Sequence, residues 1–302
     1  MLDILTRAGC FVTIILMGYI LRRTGVFGPE TFGVISKIVM KITLPAALIA
    51  SAAGKPIDAS MLTLALLGLG GGLLYMLAAW LVRLRGSRRE KAFYIQNIPG
   101  YNVGNFALPF TQSFLGPVGV LTTSIFDLGN AIICLGASFG VARAVKEGGK
   151  PNFGRIAKAA FTSVPFLTHV VMVTLNLNSI PLPGPILTLA QTLSGANAAL
   201  SMLMLGVSMN ISLEKSKLSI IARILFTRYS IATILALCYY FLLPFSLEIR
   251  QTLVILAFAP IGSMSPVFTA ELKEDVGLSS TINSLAIVTS IVIIVALLTV
   301  ML

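Results

Sequence analysis

Charged residues are scarce in this sequence, and acidic residues are the scarcest. Only 11% of the 302 residues are charged, and just 11 residues are Asp or Glu, whereas a soluble domain carries about 25% charged residues. A soluble protein of this length could not bury a chain that is 56% hydrophobic with a mean hydropathy of +0.94. The shortage of charge therefore excludes a soluble globular protein and indicates that lipid is the solvent.

Residues for metal or active-site chemistry are also few. There is one histidine, and the three cysteines (Cys10, Cys134 and Cys238) lie far apart in apolar segments, which argues against a metal motif and a disulfide framework. The sequence contains no Gly-x-Ser-x-Gly, His-Glu-x-x-His or Cys-x-x-Cys motif and no paired catalytic acids. These absences argue against an intramembrane enzyme.

Long apolar segments fill the sequence instead. Stretches of about 20 apolar residues, enough to cross ~30 Å of hydrocarbon, predict ten membrane-spanning helices. They cover residues 3–21, 34–53, 60–82, 91–114, 117–142, 157–177, 184–207, 218–243, 250–270 and 279–301. The first segment lacks the basic region and the small-residue cleavage site of a signal peptide, so we expect a retained span.

Basic residues predict the orientation of these spans. The net charge of +11 would suit nucleic acid, but all lysines and arginines except Arg7, Lys55 and Arg250 fall on one side of the ten spans. This is the positive-inside rule. We expect a multi-pass protein of the cell inner membrane, with both termini on the non-cytoplasmic face. Its partner is then the lipid bilayer and not nucleic acid.

A linker divides the ten spans into two sets of five. Residues 1–142 hold the first set, residues 143–156 form a cytoplasmic linker, and residues 157–302 hold the second set. Because each set has an odd number of spans, the second set enters the membrane in the opposite orientation, as in many secondary transporters. We predict an all-α polytopic fold of two inverted five-helix repeats.

The fourth span of each set is interrupted. The fourth span contains NIPGYNVGN (97–105) and the ninth contains FAPIGSMSPVF (258–268), and Pro and Gly break helices. Unwound backbone is tolerated in a membrane where it lines a cavity or is buried in protein. We therefore predict that 97–105 and 259–266 meet near the midplane and form a transport site. Simple kinking of two ordinary helices is the alternative interpretation.

Polar residues of the interruptions are the predicted substrate ligands. They are Tyr101, Asn102, Gly104, Asn105, Ser263 and Ser265, with the crossover prolines Pro99, Pro260 and Pro266, and weaker breaks in the second and seventh spans add Thr43 and Asn197. Asn and Ser also cap broken helix ends well, and the two roles are compatible.

Asp127 is the only acidic residue that we place deep within a span. It lies roughly 16 Å from the start of the fifth span at about 1.5 Å per residue, where an acid costs roughly 2.5–3.5 kcal/mol. We interpret Asp127 as an ion-coupling residue that either carries H⁺ or binds Na⁺ together with Asn130, which shares its helix face. The alternative is a structural carboxyl bonded to Asn102, Asn105 or freed amides. No cofactor besides a coupling ion is expected.

Three other polar residues inside spans receive structural interpretations. His169 lies in the sixth span, where a histidine bonded to a neighbouring helix is more common than a proton relay. Lys41 and Arg228 lie about two turns inside the cytoplasmic ends of their spans. We expect both side chains to snorkel to the headgroups rather than to meet an entering anion.

In order and position, these motifs resemble the auxin efflux carrier family, especially its small prokaryotic members. The resemblance lies in LPAALIAS (44–51), NIPGYNVGNFALPF (97–110), ALSMLMLGVSM (199–209) and APIGSMSPVFTAELKED (259–275). It implies a fold similar to bile-acid symporters and sodium–proton antiporters, with a scaffold and a crossover domain in which helices 4 and 9 cross. Family members carry organic anions, such as auxin in plants and malate or malonate in bacteria. This chain lacks the long cytoplasmic loop of the plant members.

The predicted function is therefore secondary active transport of a small organic anion, either a carboxylate such as malate or malonate or an auxin-like weak acid. The expected mechanism is elevator-type alternating access coupled to H⁺ or Na⁺. The alternatives are a cation–proton exchanger of related fold, a channel, and a non-transporting membrane sensor. Exchangers usually have paired acids at the crossing, whereas one is visible here. A homodimer is compatible with this architecture.

Overall fold

The computed structural model describes residues 2–55 and 59–301, and the part of the chain that it describes contains helices and no strands. The α-helices of the first half are α1 (Leu2–Arg23), α2 (Thr31–Ile38), α3 (Leu44–Ala52), α4 (Thr63–Val82), α5 (Arg88–Asn97), α6 (Leu108–Phe114), α7 (Gly116–Ile132) and α8 (Ser138–Glu147). Those of the second half are α9 (Phe153–Phe161), α10 (Val164–Leu177), α11 (Gly184–Ser194), α12 (Asn197–Ser208), α13 (Leu218–Phe241), α14 (Leu247–Ala257), α15 (Ser265–Glu271) and α16 (Val276–Met301). Three π-helical turns cover Val39–Thr43, Val103–Ala107 and Ile133–Ala137.

Several helices are long and apolar enough to cross a membrane. They are Leu2–Arg23, Thr31–Ala52, Thr63–Val82, Gly116–Glu147, Gly184–Ser208, Lys215–Phe241 and Val276–Met301, seven in the described residues. An eighth candidate is the pair α9 and α10, which bends by 76°. The structure therefore confirms a polytopic α-helical membrane protein. The remaining two predicted spans each form two short helices, α5–α6 and α14–α15, so the count of ten stays a prediction.

The helices pack in two groups. The first group contains α1, α2, α3, α10, α11 and α12. In this group α1 and α2 pack against α12, and α3 packs against α10 and α11. The second group pairs α4 with α7, α5 with α8, α13 with α14, and α15 with α16. Both interrupted segments belong to the second group, and α7 contacts α3 and α10 of the first group.

Glycines bring α4 and α7 into close contact. The carbonyl oxygen of Phe126 lies against Gly68, and the carbonyl oxygen of Ala65 lies against Gly129, so that neither glycine has space for a side chain. Small residues allow such close backbone approach between membrane helices. This contact fixes the part of α7 that carries Asp127.

An ionic cluster anchors the end of α15. Glu274 forms ion pairs with Arg89 at the start of α5 and with Lys146 on α8, and Asp275 pairs with Lys217 ahead of α13. Burial alone would raise the pKa of Glu274, but hydrogen bonds from Arg89 and Lys146 outweigh burial and hold this pKa below its usual value. The cluster therefore joins four helices of the second group by charge.

Candidate transport site

The two interrupted segments lie against each other. Residues 98–102 between α5 and the following π-helical turn are not helical, nor are residues 259–262 between α14 and α15. Gly100 has a φ of 81°, which side chains disfavour. The amide of Asn102 donates a hydrogen bond of 2.8 Å to the carbonyl of Pro260. This bond joins the two interruptions directly.

A buried arginine binds both interruptions. The guanidinium of Arg228, on α13, donates to three backbone carbonyls, and only 1% of the residue is exposed. The acceptors belong to Ile98, Gly100 at 2.9 Å and Ala259 at 2.7 Å. Carbonyls just beyond helix C-termini carry partial negative charge, so Arg228 neutralises the ends of α5 and α14. Our expectation that Arg228 snorkels is wrong, because the unwound backbone offers acceptors that the headgroups would otherwise supply.

Aromatic rings cover the Arg228 charge. Its guanidinium carbon lies 5.0 Å from the ring centre of Tyr75 and 5.7 Å from that of Tyr101, within cation–π distance. Among the described residues, no ion pair joins Arg228 to an acid. The crossing therefore holds a positive charge that is balanced by carbonyl dipoles and ring faces.

A cavity of about 90 Å³ lies beside the crossing and is called here the crossing cavity. Its walls include most of the predicted site: Pro99, Tyr101, Asn102, Gly104, Asn105, Asp127, Asn130, Ser263 and Ser265. Thr43, Asn197, Pro260 and Pro266 do not line it. Thr43 instead donates a 3.0 Å hydrogen bond to Asn197 between α12 and the turn before α3, and Pro260 contributes its carbonyl to the contact with Asn102.

All three π-helical turns border the crossing cavity. Met40 comes from the first turn, residues 103–105 come from the second, and Cys134 and Leu135 come from the third. π-Helical turns are rare and occur frequently at functional sites, because the additional residue in the turn disturbs the regular bonding ladder. Their convergence distinguishes this cavity from ordinary gaps between helices.

Asp127 is connected to the first interruption through Asn130. The Asn130 amide nitrogen donates to Asp127 Oδ1 at 2.8 Å and to the Tyr101 carbonyl at 2.8 Å. The Asn130 oxygen accepts from the Tyr101 amide at 2.9 Å. Asn130 therefore links the carboxyl to unwound backbone, and not Asn102 or Asn105, which the structural alternative named as partners.

His169 contacts the other oxygen of Asp127. Its Nε2 lies 3.3 Å from Asp127 Oδ2, and both residues are buried. The contact runs from α7 in the second helix group to α10 in the first. The structure thus agrees with the interpretation of His169 as a histidine bonded to a neighbouring helix, and it places the partner in the crossing cavity.

Several polar atoms at the cavity lack partners. Asn105 donates to the Ser263 hydroxyl at 3.2 Å, which joins the two interruptions a second time. Within the described residues, Asn102 Nδ2, Asn105 Oδ1 and Gln96 Oε1 are buried without a hydrogen-bond partner. Because such groups are costly when unpaired, they are the atoms that a bound ligand or water would satisfy. Gln96 also lines the cavity and is missing from our predicted site.

Asn283 is a second residue that sequence reasoning missed. On α16, its amide donates to the carbonyls of Ile261 and Gly262 at 3.2 and 3.1 Å, and it thereby supports the second interruption as Asn130 supports the first. An amide within the apolar segment SSTINSLAIV is the signal that could have identified it.

Comparison with known proteins gives an independent view. A family model described as membrane transport protein matches residues 10–149, a stretch that contains the first interruption, Asp127 and Asn130. An uncharacterized transporter from Methanothermobacter thermautotrophicus is 25% identical over 285 residues, which cover 93% of each chain. These findings support the resemblance to auxin efflux carriers found in the motifs: over most of its length the chain is similar to a membrane transporter.

Proposed function

We propose that this protein is a secondary active transporter that carries a small organic anion through the crossing cavity by alternating access. The observation that carries the proposal is the way the two interruptions are held by Arg228. Its guanidinium donates hydrogen bonds to the free carbonyls on one side of the crossing. The side-chain amide nitrogen of Asn102, which has no partner among the described residues, faces the cavity on the other side, where a carboxylate can accept from it.

The proposal includes the ten-span plan. If α5–α6 and α14–α15 each cross the membrane once, and the bent pair α9–α10 crosses once, there are ten crossings in two sets of five. Asn130 and Asn283 then lie in the fifth and tenth spans, each bonded to the interruption of its own half. We propose an elevator-type movement of the second helix group against the first, in an inner membrane with both termini on the non-cytoplasmic face.

We propose H⁺ rather than Na⁺ as the coupling ion. Hard cations take oxygen ligands, whereas both oxygens of Asp127 face nitrogen atoms, from Asn130 and His169. Buried carboxyl groups within membrane spans commonly serve as proton carriers in transporters. In the small crossing cavity an ionised Asp127 repels an anion, and protonation removes that repulsion. Anion and proton therefore bind together and move in the same direction.

Counterflow in proteoliposomes tests the proposal. Vesicles loaded with unlabelled malate, malonate or indole-3-acetate take up the labelled compound with and without Na⁺ and at two pH values. We expect transient accumulation of at least one acid that depends on pH and not on Na⁺. Asp127→Asn should abolish accumulation driven by a pH gradient. Absence of counterflow for a wide panel of acids, with folded protein, would contradict anion transport, and Na⁺ dependence would contradict only the coupling ion.

A further inference from the structure

A second and larger cavity adjoins the crossing cavity. It has a volume of about 780 Å³ and is called here the chamber. The end of α1 contributes Tyr19, Arg22 and Arg23, the end of α12 contributes Ser208, and the start of α16 contributes Ser280. Its walls therefore come from both helix groups, at the face where the basic residues of the chain are concentrated.

The chamber is positively charged. Arg22 and Arg23 line it, and its lining contains no acidic side chain among the described residues. The nearby acids on the loop after α15 are engaged elsewhere, since Glu274 pairs with Arg89 and Lys146, and Asp275 pairs with Lys217. A concave surface lined by one sign of charge concentrates the potential and raises the local concentration of counter-ions.

Ser263 connects the chamber with the crossing cavity. It is part of the lining of both, and its hydroxyl accepts from Asn105 at 3.2 Å. The serine is therefore a thin wall between the two spaces. A ligand that passes from the crossing cavity towards the basic face would pass this residue and reach the arginines.

We infer that the chamber is a second anion-binding site on the cytoplasmic side, in which Arg22 and Arg23 hold the carboxylate of the cargo outside the crossing. Guanidinium groups bind carboxylates through paired hydrogen bonds. One nitrogen of Arg22 already donates to the Phe27 carbonyl at 3.3 Å, which orients the side chain. The identity of the cargo rests on the proposed function, but the charge and accessibility of the chamber do not. A phosphate headgroup has the same chemistry, so the experiment includes a lipid comparison.

Thiol labelling of Ser280→Cys measures the chamber without transport. In a background with Cys10→Ala, Cys134→Ala and Cys238→Ala, the thiol is reacted with membrane-impermeant methanethiosulfonates that carry a negative or a positive charge. We expect the negative reagent to react faster than the positive one. The ratio of the two reaction rates should be about tenfold higher at Ser280→Cys than at a cysteine in an exposed loop. Malate should slow the reaction, and Arg22→Gln with Arg23→Gln should remove both the preference and the protection.

A matched double variant serves as control. Arg85→Gln with Arg88→Gln removes the same charge from exposed positions on the same face that do not line the chamber, and it should leave preference and protection unchanged. Equal reaction rates of the two reagents at Ser280→Cys, or no protection by malate while Arg22 and Arg23 are present, would overturn the inference. Protection that disappears when phosphatidylglycerol is added to phosphatidylcholine vesicles would also overturn it, in favour of a lipid headgroup.

Transport kinetics give a second readout. Malate is supplied on the side of the membrane to which the chamber with Arg22 and Arg23 opens. The double variant Arg22→Gln with Arg23→Gln should then raise the half-saturating malate concentration about fivefold at low ionic strength. The difference should vanish in high salt, because salt screens exposed charges. Malate protection of the Ser280→Cys thiol, together with no counterflow by the wild-type protein, would contradict the proposed function and leave the chamber site standing. An unchanged half-saturation at low salt would contradict the chamber site alone.

Discussion

The two interruptions share one plan but are equipped with different chemistry. Each is held by an asparagine from the span that follows it, Asn130 for the first and Asn283 for the second. Asn130 also bonds to the buried acid Asp127, whereas the bonds of Asn283 go to backbone carbonyls. The second interruption instead carries Ser263, which borders both cavities. The comparison teaches that the first half supplies the ionisable group, whereas the second half supplies the residue that borders both cavities.

Loss of Arg228 should damage both interruptions at once and have the largest effect. Arg228→Ala leaves three buried carbonyls unpaired, at about 1–3 kcal/mol each, so we expect the apparent melting temperature in detergent to fall by more than about 5 °C and counterflow to be lost. Arg228→Lys should restore part of the stability. Arg223→Ala, at an exposed position on the same helix, is the control. Equal melting temperatures for the two alanine variants would contradict the role of Arg228.

Replacing the two asparagines separates the halves. Asn130→Ala and Asn283→Ala should both reduce counterflow about tenfold, because each frees backbone atoms of one interruption. Only Asn130→Ala should also change the pH dependence of the remaining activity, since only Asn130 bonds to Asp127. The measurement is initial counterflow rate against pH for both variants. An identical change of pH profile in both would show that the two halves are not specialised.

His169→Gln should have a moderate effect that is confined to coupling. Glutamine can still donate to Asp127 but lacks the imidazole ring that can relay a proton, so we expect the ratio of pH-driven accumulation to counterflow to fall about threefold. Thr174→Val, at an exposed position of the same helix, is the matched control and should leave the ratio unchanged. A ratio equal to that of the wild type would limit His169 to a packing role.

Neutralising Glu274 should have the smallest effect. Its pKa is held below the usual value by Arg89 and Lys146, so the ion pairs stabilise the protein at pH values above the unfolded-state pKa, and this stability is lost as the pH falls through the lower folded-state pKa. Glu274→Gln should lower the melting temperature at neutral pH by about 2 °C. It should also make the melting temperature fall less steeply as the pH is lowered. Equal melting temperatures of Glu274→Gln and the wild-type protein from neutral to acidic pH would contradict this contribution.

Sequence reasoning located the interruptions because Pro and Gly reveal broken helices directly. It also singled out Asp127 and Asn130, because an acid and an amide are conspicuous in an apolar span. It misjudged Arg228, since a position along a span gives depth but not the direction in which the side chain points. The three acceptors of Arg228 lie 128 and 130 residues before it and 31 residues after it. The chamber could not be predicted either, because its walls come from three regions that are distant in the sequence, residues 19–32, 207–210 and 263–280.

The contact between His169 and Asp127 has a consequence for watching this protein at work. The sequence contains a single histidine, and that histidine bridges the two helix groups beside the crossing cavity. An isotope label on histidine therefore yields one imidazole signal per chain, and that signal belongs to His169. Any rearrangement that separates α7 from α10 must change that signal, so the native protein already contains a spectroscopic reporter at its internal boundary.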